Sequence, residues 1–336
     1  MSADPLHPDT GHHDPAGGFR NPWPSAAPHG LRDFLRWMAT YDRRADPARR
    51  GSFPRAEPAP DRPRAGADAL TLTWIGHSTF LIQIGGRNVL TDPVWGDRAS
   101  PVPFAGPRRV MPPALPLPAL PPIDVVLQSH DHYDHLDRDT VRALARGFPE
   151  AAWVVPLGLD RWLARQGVRH AHALDWWESR AVGPLTLGCV PAQHFSGRGP
   201  RRNRTLWCGW TIAAPDGGPA AYFVGDTGWF PEFGAVAERR GPFDALLIPI
   251  GAYDPRWFMR PAHLDPEEAV GVYRELAAAQ PGRRLLMTAM HWGTFKLTEE
   301  PLGEPPVRAR QAWEAAGLPP SHLWIPRHGE TRRVRG

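Results

Sequence analysis

A cluster of metal-binding side chains directly after a predicted buried strand constrains the fold more than any other stretch of the chain. The apolar, β-branched run at 123–127 predicts the strand, and the segment 129–137, SHDHYDHLD, follows it at once. Its histidines and aspartates would repel one another, or stay solvated, unless a positive charge held them together. Imidazole nitrogens and carboxylate oxygens are the ligands that suit zinc and its neighbours in the first transition row. The stretch therefore predicts a divalent-metal site at the carboxyl end of a strand.

The spacing of the ligands within this segment indicates more than one ion. His130 and His132 are two positions apart, so in an extended chain both side chains point to the same side and can chelate one ion. Asp134 and His135 are adjacent, and a turn there aims both at a second ion. The alternative is a solvated polar loop, but four ligand-type residues within six positions after a strand favour the metal site.

Further ligand-type residues follow other predicted strands. His194, Asp226 and His291 each stand just past an apolar run, where they could meet the first cluster at one edge of stacked sheets. The candidate ligands are then His130, His132, Asp134, His135, His194, Asp226 and His291. Seven ligands suffice for two ions, and Asp226 is best suited to bridge them because a carboxylate has two oxygens.

His77 and Asp92 also lie at predicted strand ends, before the metal-binding segment. Each could be an ordinary capping or turn residue. Asp92 could instead orient a metal-bound imidazole from behind, as carboxylates do in many metal sites.

Strands alternate with helices over most of the chain, which predicts an α/β layered domain. We expect a disordered tail at 1–29, which is rich in Pro, His, Gly and Asp, and a hydrolase domain at 67–336. Between them, 30–66 should hold an amphipathic helix at 31–41 and a linker rich in Pro and Arg. This helix either docks on the body of the protein or touches a membrane surface.

Composition excludes several classes of protein. The chain has 336 residues with 39 Lys and Arg against 35 Asp and Glu, and no long basic block predicts a nucleic-acid groove. Cys189 and Cys208 give no disulfide framework, which favours a reducing cytoplasm. No apolar stretch is long enough to span a bilayer, and the N-terminus lacks the pattern of a signal peptide. We therefore expect a cytoplasmic protein, with peripheral membrane contact left open.

The order of the ligands resembles the metallo-β-lactamase superfamily. This resemblance implies a four-layered αβ/βα sandwich with a dinuclear metal site at the sheet edge. Longer strings are similar to one branch, the N-acylphosphatidylethanolamine-hydrolysing phospholipases D, and these strings lie at 21–23, 91–93, 98–101, 129–137, 175–178, 225–228, 251–259, 263–270 and 291–295.

The resemblance also implies roles for individual residues. One zinc ion would be held by His130, His132 and His194, and the other by Asp134, His135 and His291, with Asp226 between them. Tyr133 and His263 match positions that contact the phospholipid. The branch also implies a homodimer.

The activity that follows is phospholipase D-type cleavage of N-acylphosphatidylethanolamine to N-acylethanolamine and phosphatidate. A hydroxide shared by two zinc ions would attack phosphorus, with Asp134 and Asp226 in the catalytic centre and His263 as a candidate proton donor. Iron or manganese could replace zinc. Two alternatives stay open: another hydrolase of this fold, such as a phosphodiesterase or a sugar-phosphate lactonase, and a membrane-associated regulatory protein whose metals are structural.

Overall fold

Two seven-stranded mixed sheets build the body of the protein. The computed structural model describes residues 10–23, 29–41, 50–198 and 202–336. The first sheet has the strand order β14-β1-β2-β3-β4-β5-β6. Its strands are β1 (Leu70–Gly76), β2 (Thr79–Ile84), β3 (Arg87–Thr91), β4 (Val125–Leu127), β5 (Ala152–Pro156), β6 (Ala171–Leu174) and β14 (Thr331–Arg335).

The second sheet has the order β13-β12-β11-β10-β9-β8-β7. Its strands are β7 (Ser179–Val182), β8 (Leu185–Val190), β9 (Gly209–Ala213), β10 (Ala220–Phe223), β11 (Ala245–Pro249), β12 (Leu286–Met290) and β13 (Leu323–Trp324). Strands β10 to β13 run parallel, and β8 runs in the same direction because it is antiparallel to β9, which is antiparallel to β10.

The α-helices of the described residues flank these sheets. They are α1 (Leu31–Thr40), α2 (Arg138–Gly147), α3 (Asp160–Arg165), α4 (Phe233–Arg240), α5 (Arg256–Met259), α6 (Pro266–Ala278) and α7 (Glu304–Ala315). Short 3-10 turns lie at Thr10–His12, Leu117–Ala119 and Pro320–His322. Among the described residues, none of the helices combines the length and apolar character needed to cross a lipid bilayer.

Alternating side chains of the strands divide the apolar core into layers. In β2, Phe80 and Ile82 join Trp210 of the second sheet in one hydrophobic cluster, whereas Leu81 between them joins a second cluster. That second cluster is completed by apolar residues of α2 and α3, and α4, α6 and α7 add theirs to the first. Both faces of the central strands are thus buried, as expected for sheets covered by helices. The predicted α/β sandwich is confirmed.

The direction of the strands brings several strand ends to one edge. Strands β3 and β4 run parallel in the first sheet, and β8, β10 and β12 share one direction in the second. Candidate metal-site residues follow all five ends within a few positions, after Thr91, Leu127, Val190, Phe223 and Met290. Loops beyond the carboxyl ends of strands are the usual place for binding sites in α/β proteins.

The N-terminal segment corrects one expectation. Residues 10–23, predicted to be disordered, pack on the body: His12 is buried, and the Trp23 ring stacks on Trp176 with centroids 5.7 Å apart. The Nε1 of Trp23 also donates to Glu232, 3.1 Å away. The prediction was wrong because these contacts lie far away in sequence, so local composition could not reveal them. Residues 1–9 and 24–28 of the predicted tail lie outside the described residues.

Replacing Trp23 by Ala tests whether this segment is part of the folded body. The variant loses the stacking on Trp176 and Phe230 and the hydrogen bond to Glu232, so the free energy of unfolding should fall by about 2 kcal/mol. Chemical denaturation measures this change. Trp229→Ala is the matched control, because Trp229 is 46% exposed and its loss should cost less than about 0.5 kcal/mol. Equal stability of the two variants would contradict the packing.

Candidate metal centre

The loop after β4 is folded into a turn that presents its histidines and aspartates. The backbone N–H groups of His135 and Leu136 donate to the carbonyl oxygen of His132 at 3.1 and 2.8 Å. Asp137 then caps α2 by accepting the backbone N–H of Thr140 at 3.2 Å. Strand β4 and helix α2 therefore hold both ends of the loop.

A first group of ligand atoms comes from three histidines. His132 Nδ1 lies 2.9 Å from His130 Nε2 and 3.2 Å from His194 Nε2. The three nitrogens lie within 4.8 Å of one another. His194 enters from the loop after β8, and its Nδ1 donates to the carbonyl oxygen of Ala262 at 2.8 Å. This bond leaves Nε2 free to point at the group.

A second group comes from the same loop and from the loop after β12. His135 Nε2 and His291 Nε2 lie 3.2 Å apart. Asp134 Oδ2 lies 3.3 Å from the first nitrogen and 3.4 Å from the second. His77 Nε2, from the turn between β1 and β2, lies 3.0 Å from the same oxygen of Asp134.

Asp226 lies between the two groups. Its Oδ2 is 3.1 Å from His135 Nε2 and 3.0 Å from His291 Nε2. Its Oδ1 is buried and has no hydrogen-bond partner among the described residues. Oδ2 therefore faces the second group, Oδ1 is free for an ion, and Asp226 also forms a group with His194 of the first group and His263.

Behind the ligands, Asp92 contacts three residues: Gln128, Ser129 and His135. Its Oδ2 accepts from Ser129 Oγ at 2.5 Å and lies 2.7 Å from His135 Nδ1. Its Oδ1 accepts the backbone N–H of Ser129 at 2.6 Å and the side-chain amide of Gln128 at 3.2 Å. Ser129 Oγ in turn lies 2.8 Å from His130 Nδ1. Asp92 and Ser129 thereby fix the orientation of one imidazole in each group, as carboxylates behind metal ligands do.

Ser129 and Gln128 were not among the residues singled out in the sequence. The only signal was their position, because both are polar and directly follow an apolar strand. Asn21 was also missed as a supporting residue: its side-chain amide donates to the carbonyl oxygen of His194 at 2.9 Å.

Backbone strain is concentrated at this edge. His77, Asp92 and His291 all adopt left-handed φ angles, of 55°, 33° and 61°. Such conformations are unfavourable for residues with a Cβ atom and occur often at functional sites. Here they turn each side chain into the cluster immediately where a strand ends.

The charges of the cluster fit a divalent metal. Burial lowers the pKa of His132 to about 3 and that of His194 to about 4, and it lowers the pKa of His130 well below its usual value. These imidazoles are therefore neutral at pH 7, which is the form that binds metals. Burial opposes ionisation of Asp226, but His135 and His291 beside it hold its pKa well below the usual value.

The spacing of the donors also fits. Separations of about 3 Å between ligand atoms are those expected when the atoms share an ion at about 2.0–2.2 Å. Nitrogen and carboxylate oxygen donors, a free oxygen on Asp226 and the neutral imidazoles of the first group together make the residues present suitable for divalent metal ions. At the second group, despite burial, Asp226 and Asp134 raise the pKa of His291 to about 9 and that of His135 well above its usual value, and a metal ion would take the place of these protons.

A cavity of about 250 Å³ opens onto this cluster. Polar residues line it at the metal-binding end, namely His132, Asp134, His194, Asp226 and His263. The remaining lining is mixed. Its apolar side chains are Phe34 and Trp37 of α1, Phe195, Phe258, Met259 and Leu297, and its other polar residues are Asn21, His29, Arg202, Asn203 and Thr298. His263 Nδ1 lies 3.8 Å from Asp226 Oδ2 and has no hydrogen-bond partner among the described residues.

Tyr133 faces away from this cavity. It lines a second cavity of about 620 Å³ on the other side of the loop, which none of the candidate ligands among the described residues lines. Its hydroxyl donates to the carbonyl oxygen of Arg198 at 3.2 Å, and the Arg198 guanidinium lies 4.2 Å from its ring centroid. A substrate contact by Tyr133 therefore stays a prediction.

Comparison with known proteins agrees with the fold and the ligand pattern. The model of the β-lactamase superfamily domain matches residues 87–292. An uncharacterized protein of Mycobacterium tuberculosis is 45% identical over 80% of this chain and 69% of its own length. The N-acyl-phosphatidylethanolamine-hydrolyzing phospholipase D 1 of Caenorhabditis elegans is 41% identical over 73% of this chain and 70% of its own length.

Solved structures share the architecture. A possible metal-dependent hydrolase from Veillonella parvula superimposes with a TM-score of 0.61 at 20% identity, over 79% of this chain and 99% of that one. The fold and the ligand groups are those of a metal-dependent hydrolase of the metallo-β-lactamase type. The chain belongs to the β-lactamase superfamily.

Replacing Asp92 by Asn tests how the ligands are held. The amide cannot accept from Ser129 and His135 as the carboxylate does, so metal affinity should fall by about 10- to 100-fold. Competition with a coloured chelator measures the affinity. Asp139→Asn, at an exposed position on α2, is the control and should bind metal like the unmodified protein. Unchanged affinity in Asp92→Asn would mean that Asp92 does not support the centre.

Proposed function

We propose that the protein hydrolyses N-acylphosphatidylethanolamine on the head-group side of its phosphodiester, releasing N-acylethanolamine and phosphatidate. The observation that carries this proposal is the cavity, because it joins a metal-binding end to an apolar wall of α1 and α5 residues. A phosphodiester with acyl chains needs both surfaces at once: positive charge for the phosphate and apolar contact for the chains. The named activity of the nematode relative supports the same substrate class.

Two zinc ions complete the centre in this proposal. His130, His132 and His194 would hold one, and the second would be held by Asp134, His135 and His291, with Asp226 shared between them. When bound, such ions lower the pKa of water and neutralise charge on a phosphoryl group. The chain supplies the nitrogen and oxygen ligands for these ions, and iron or manganese could bind to the same ligands.

His263 is the side chain best placed to contact the substrate. It lines the cavity beside Asp226, and its Nδ1 is unsatisfied among the described residues. We assign it a hydrogen bond to the phosphodiester, at the oxygen that leaves with the N-acylethanolamine. Burial lowers the pKa of His263 well below its usual value, so it makes this contact as a neutral imidazole rather than as the proton donor. Asp134 projects into the same cavity and would orient the attacking water.

The mouth of the cavity presents an apolar surface that fits a lipid bilayer. Leu35 and Met38 of α1 are 58% and 44% exposed, and Trp257 of α5 is 41% exposed. Arg36 places its guanidinium 4.7 Å from the Trp257 ring centroid, which adds positive charge to the same surface. On the same helix, Trp37 stacks on Phe258 with ring centroids 5.1 Å apart and holds the helix against the body. Helix α1 therefore docks on the body through Trp37, and we propose that its exposed apolar residues also touch the membrane.

Product analysis tests the reaction directly. With zinc present, N-acylphosphatidylethanolamine in mixed micelles should yield N-acylethanolamine and phosphatidate, and in isotopically labelled water the label should enter phosphatidate because attack occurs at phosphorus. Mass spectrometry of both products gives the answer. His132→Ala should lose the activity together with metal, whereas the surface variant His170→Ala should keep both. Cleavage of a soluble phosphodiester or a lactone, without release of N-acylethanolamine, would favour another hydrolase of this fold.

Charges on the apolar surface test the membrane contact. The double variant Leu35→Glu/Met38→Glu should bind vesicles of anionic phospholipid at least about tenfold more weakly, because burial of two apolar side chains is replaced by charge repulsion. Co-sedimentation measures binding. Turnover of a soluble phosphodiester should stay unchanged in this variant. Val307→Glu, at a position 53% exposed on α7, is the control, and an equal loss of vesicle binding there would contradict the assignment.

A further inference from the structure

A second group of metal-binding side chains lies outside the catalytic centre. The Nε2 atoms of His12 and His13 each lie 2.7 Å from one carboxylate oxygen of Asp175, His12 from Oδ1 and His13 from Oδ2. All three ligand atoms fall within 4.8 Å of one another. We propose that these residues bind a divalent transition-metal ion of the zinc, nickel or copper type, which fastens the N-terminal segment to the body.

The backbone brings two neighbouring imidazoles to the same carboxylate. Consecutive residues of an extended chain point to opposite sides, so convergence of His12 and His13 needs a special path. The chain provides it by ending a 3-10 turn at His12 and reversing direction: Asp14 N donates to Gly18 O at 3.0 Å, and Arg20 N donates to His12 O at 2.8 Å. Two imidazole nitrogens and a carboxylate oxygen form a donor set that suits this class of ion.

The ligands are held in place before any ion arrives. The His12 ring stacks on Trp176 with centroids 4.3 Å apart. Asp175 Oδ1 also accepts the backbone N–H of Trp176 at 2.8 Å, which fixes the orientation of the carboxylate. Such contacts behind metal ligands raise affinity because less freedom is lost on binding.

The group is also open to solvent on one side. The side chain of His12 is only 6% exposed, but those of His13 and Asp175 are 41% and 23% exposed. An ion has a path of entry, and water can complete its coordination. Without an ion, each imidazole donates a hydrogen bond to the carboxylate, so the three side chains stay together in either state.

An ion at this position would act on the segment that supports the catalytic centre. The same segment continues to Asn21, whose amide donates to the carbonyl oxygen of the candidate ligand His194. Farther along, Trp23 bonds to Glu232. Binding at His12 and His13 would therefore protect residues 10–23 from local opening and keep the backbone of His194 supported.

Metal counting with matched variants tests the proposal. Protein loaded with zinc and freed of loosely bound ions by gel filtration should hold one more equivalent per chain than His12→Gln/His13→Gln. Inductively coupled plasma mass spectrometry measures the zinc content per chain. The control His170→Gln, at an exposed histidine on another surface, should match the unmodified protein. This comparison is a difference between variants, so it does not depend on the number of ions in the catalytic centre or on the reaction proposed for it.

Two further measurements keep the test decisive if the double variant folds poorly. His13→Gln alone leaves the buried stack of His12 on Trp176 intact and should weaken zinc binding at this site by about 10- to 100-fold. In the unmodified protein, zinc should slow cleavage by trypsin after the exposed Arg20, and in His13→Gln it should not. Equal zinc content in folded unmodified and double-variant protein, or trypsin cleavage that zinc leaves unchanged, would overturn the proposal and leave a hydrogen-bonded bridge.

Discussion

The convergence of seven buried or half-buried histidine and aspartate side chains at one edge of two sheets is the constraint on which the rest of the structure depends. Buried carboxylates and imidazoles are costly unless charge and hydrogen bonds compensate them. Despite burial, Asp134 and Asp226 stay ionised because His135 and His291 lie beside them, and the two carboxylates in turn raise the pKa values of these imidazoles. Burial keeps the imidazoles of the first group, such as His132, neutral. Divalent ions can replace the protons of His135 and His291 as the positive charge of the cluster, and they use the nitrogens and oxygens that already face one another.

The surroundings of the cluster follow from the need to hold these groups in place. Asp92 and Ser129 fix imidazoles from behind, and strained backbone at His77 and His291 turns side chains inward where strands end. Helices α1 and α5 contribute apolar side chains to the cavity beside the metal-binding residues. This combination of a metal-binding cluster and apolar side chains in one cavity is the arrangement on which the proposed lipid substrate rests.

Local patterns in the sequence predicted an α/β layered domain and grouped the candidate ligands, and the resemblance to the metallo-β-lactamase superfamily implied the sandwich. An apolar strand followed by polar ligands can be recognised without knowing what packs against it, and the same signal recurred at His194, Asp226 and His291. The packing of the N-terminal segment was not predicted, for the opposite reason. His12 bonds to Asp175, which is 163 positions away, and no residue near His12 in the sequence indicates this contact. Tyr133 differs from both. Its neighbours His132 and Asp134 line the cavity at the metal-binding cluster, whereas Tyr133 itself lines the other cavity, and the sequence pattern does not distinguish the two.

The most direct test of the central claim is a crystal structure of the zinc-loaded protein with anomalous diffraction data collected at the zinc absorption edge. Two strong anomalous peaks are expected at the sheet edge, one among His130, His132 and His194 and the other among Asp134, His135 and His291. Asp226 should contact both. A well-ordered structure with no peak between these residues would contradict the claim that they form a dinuclear metal centre.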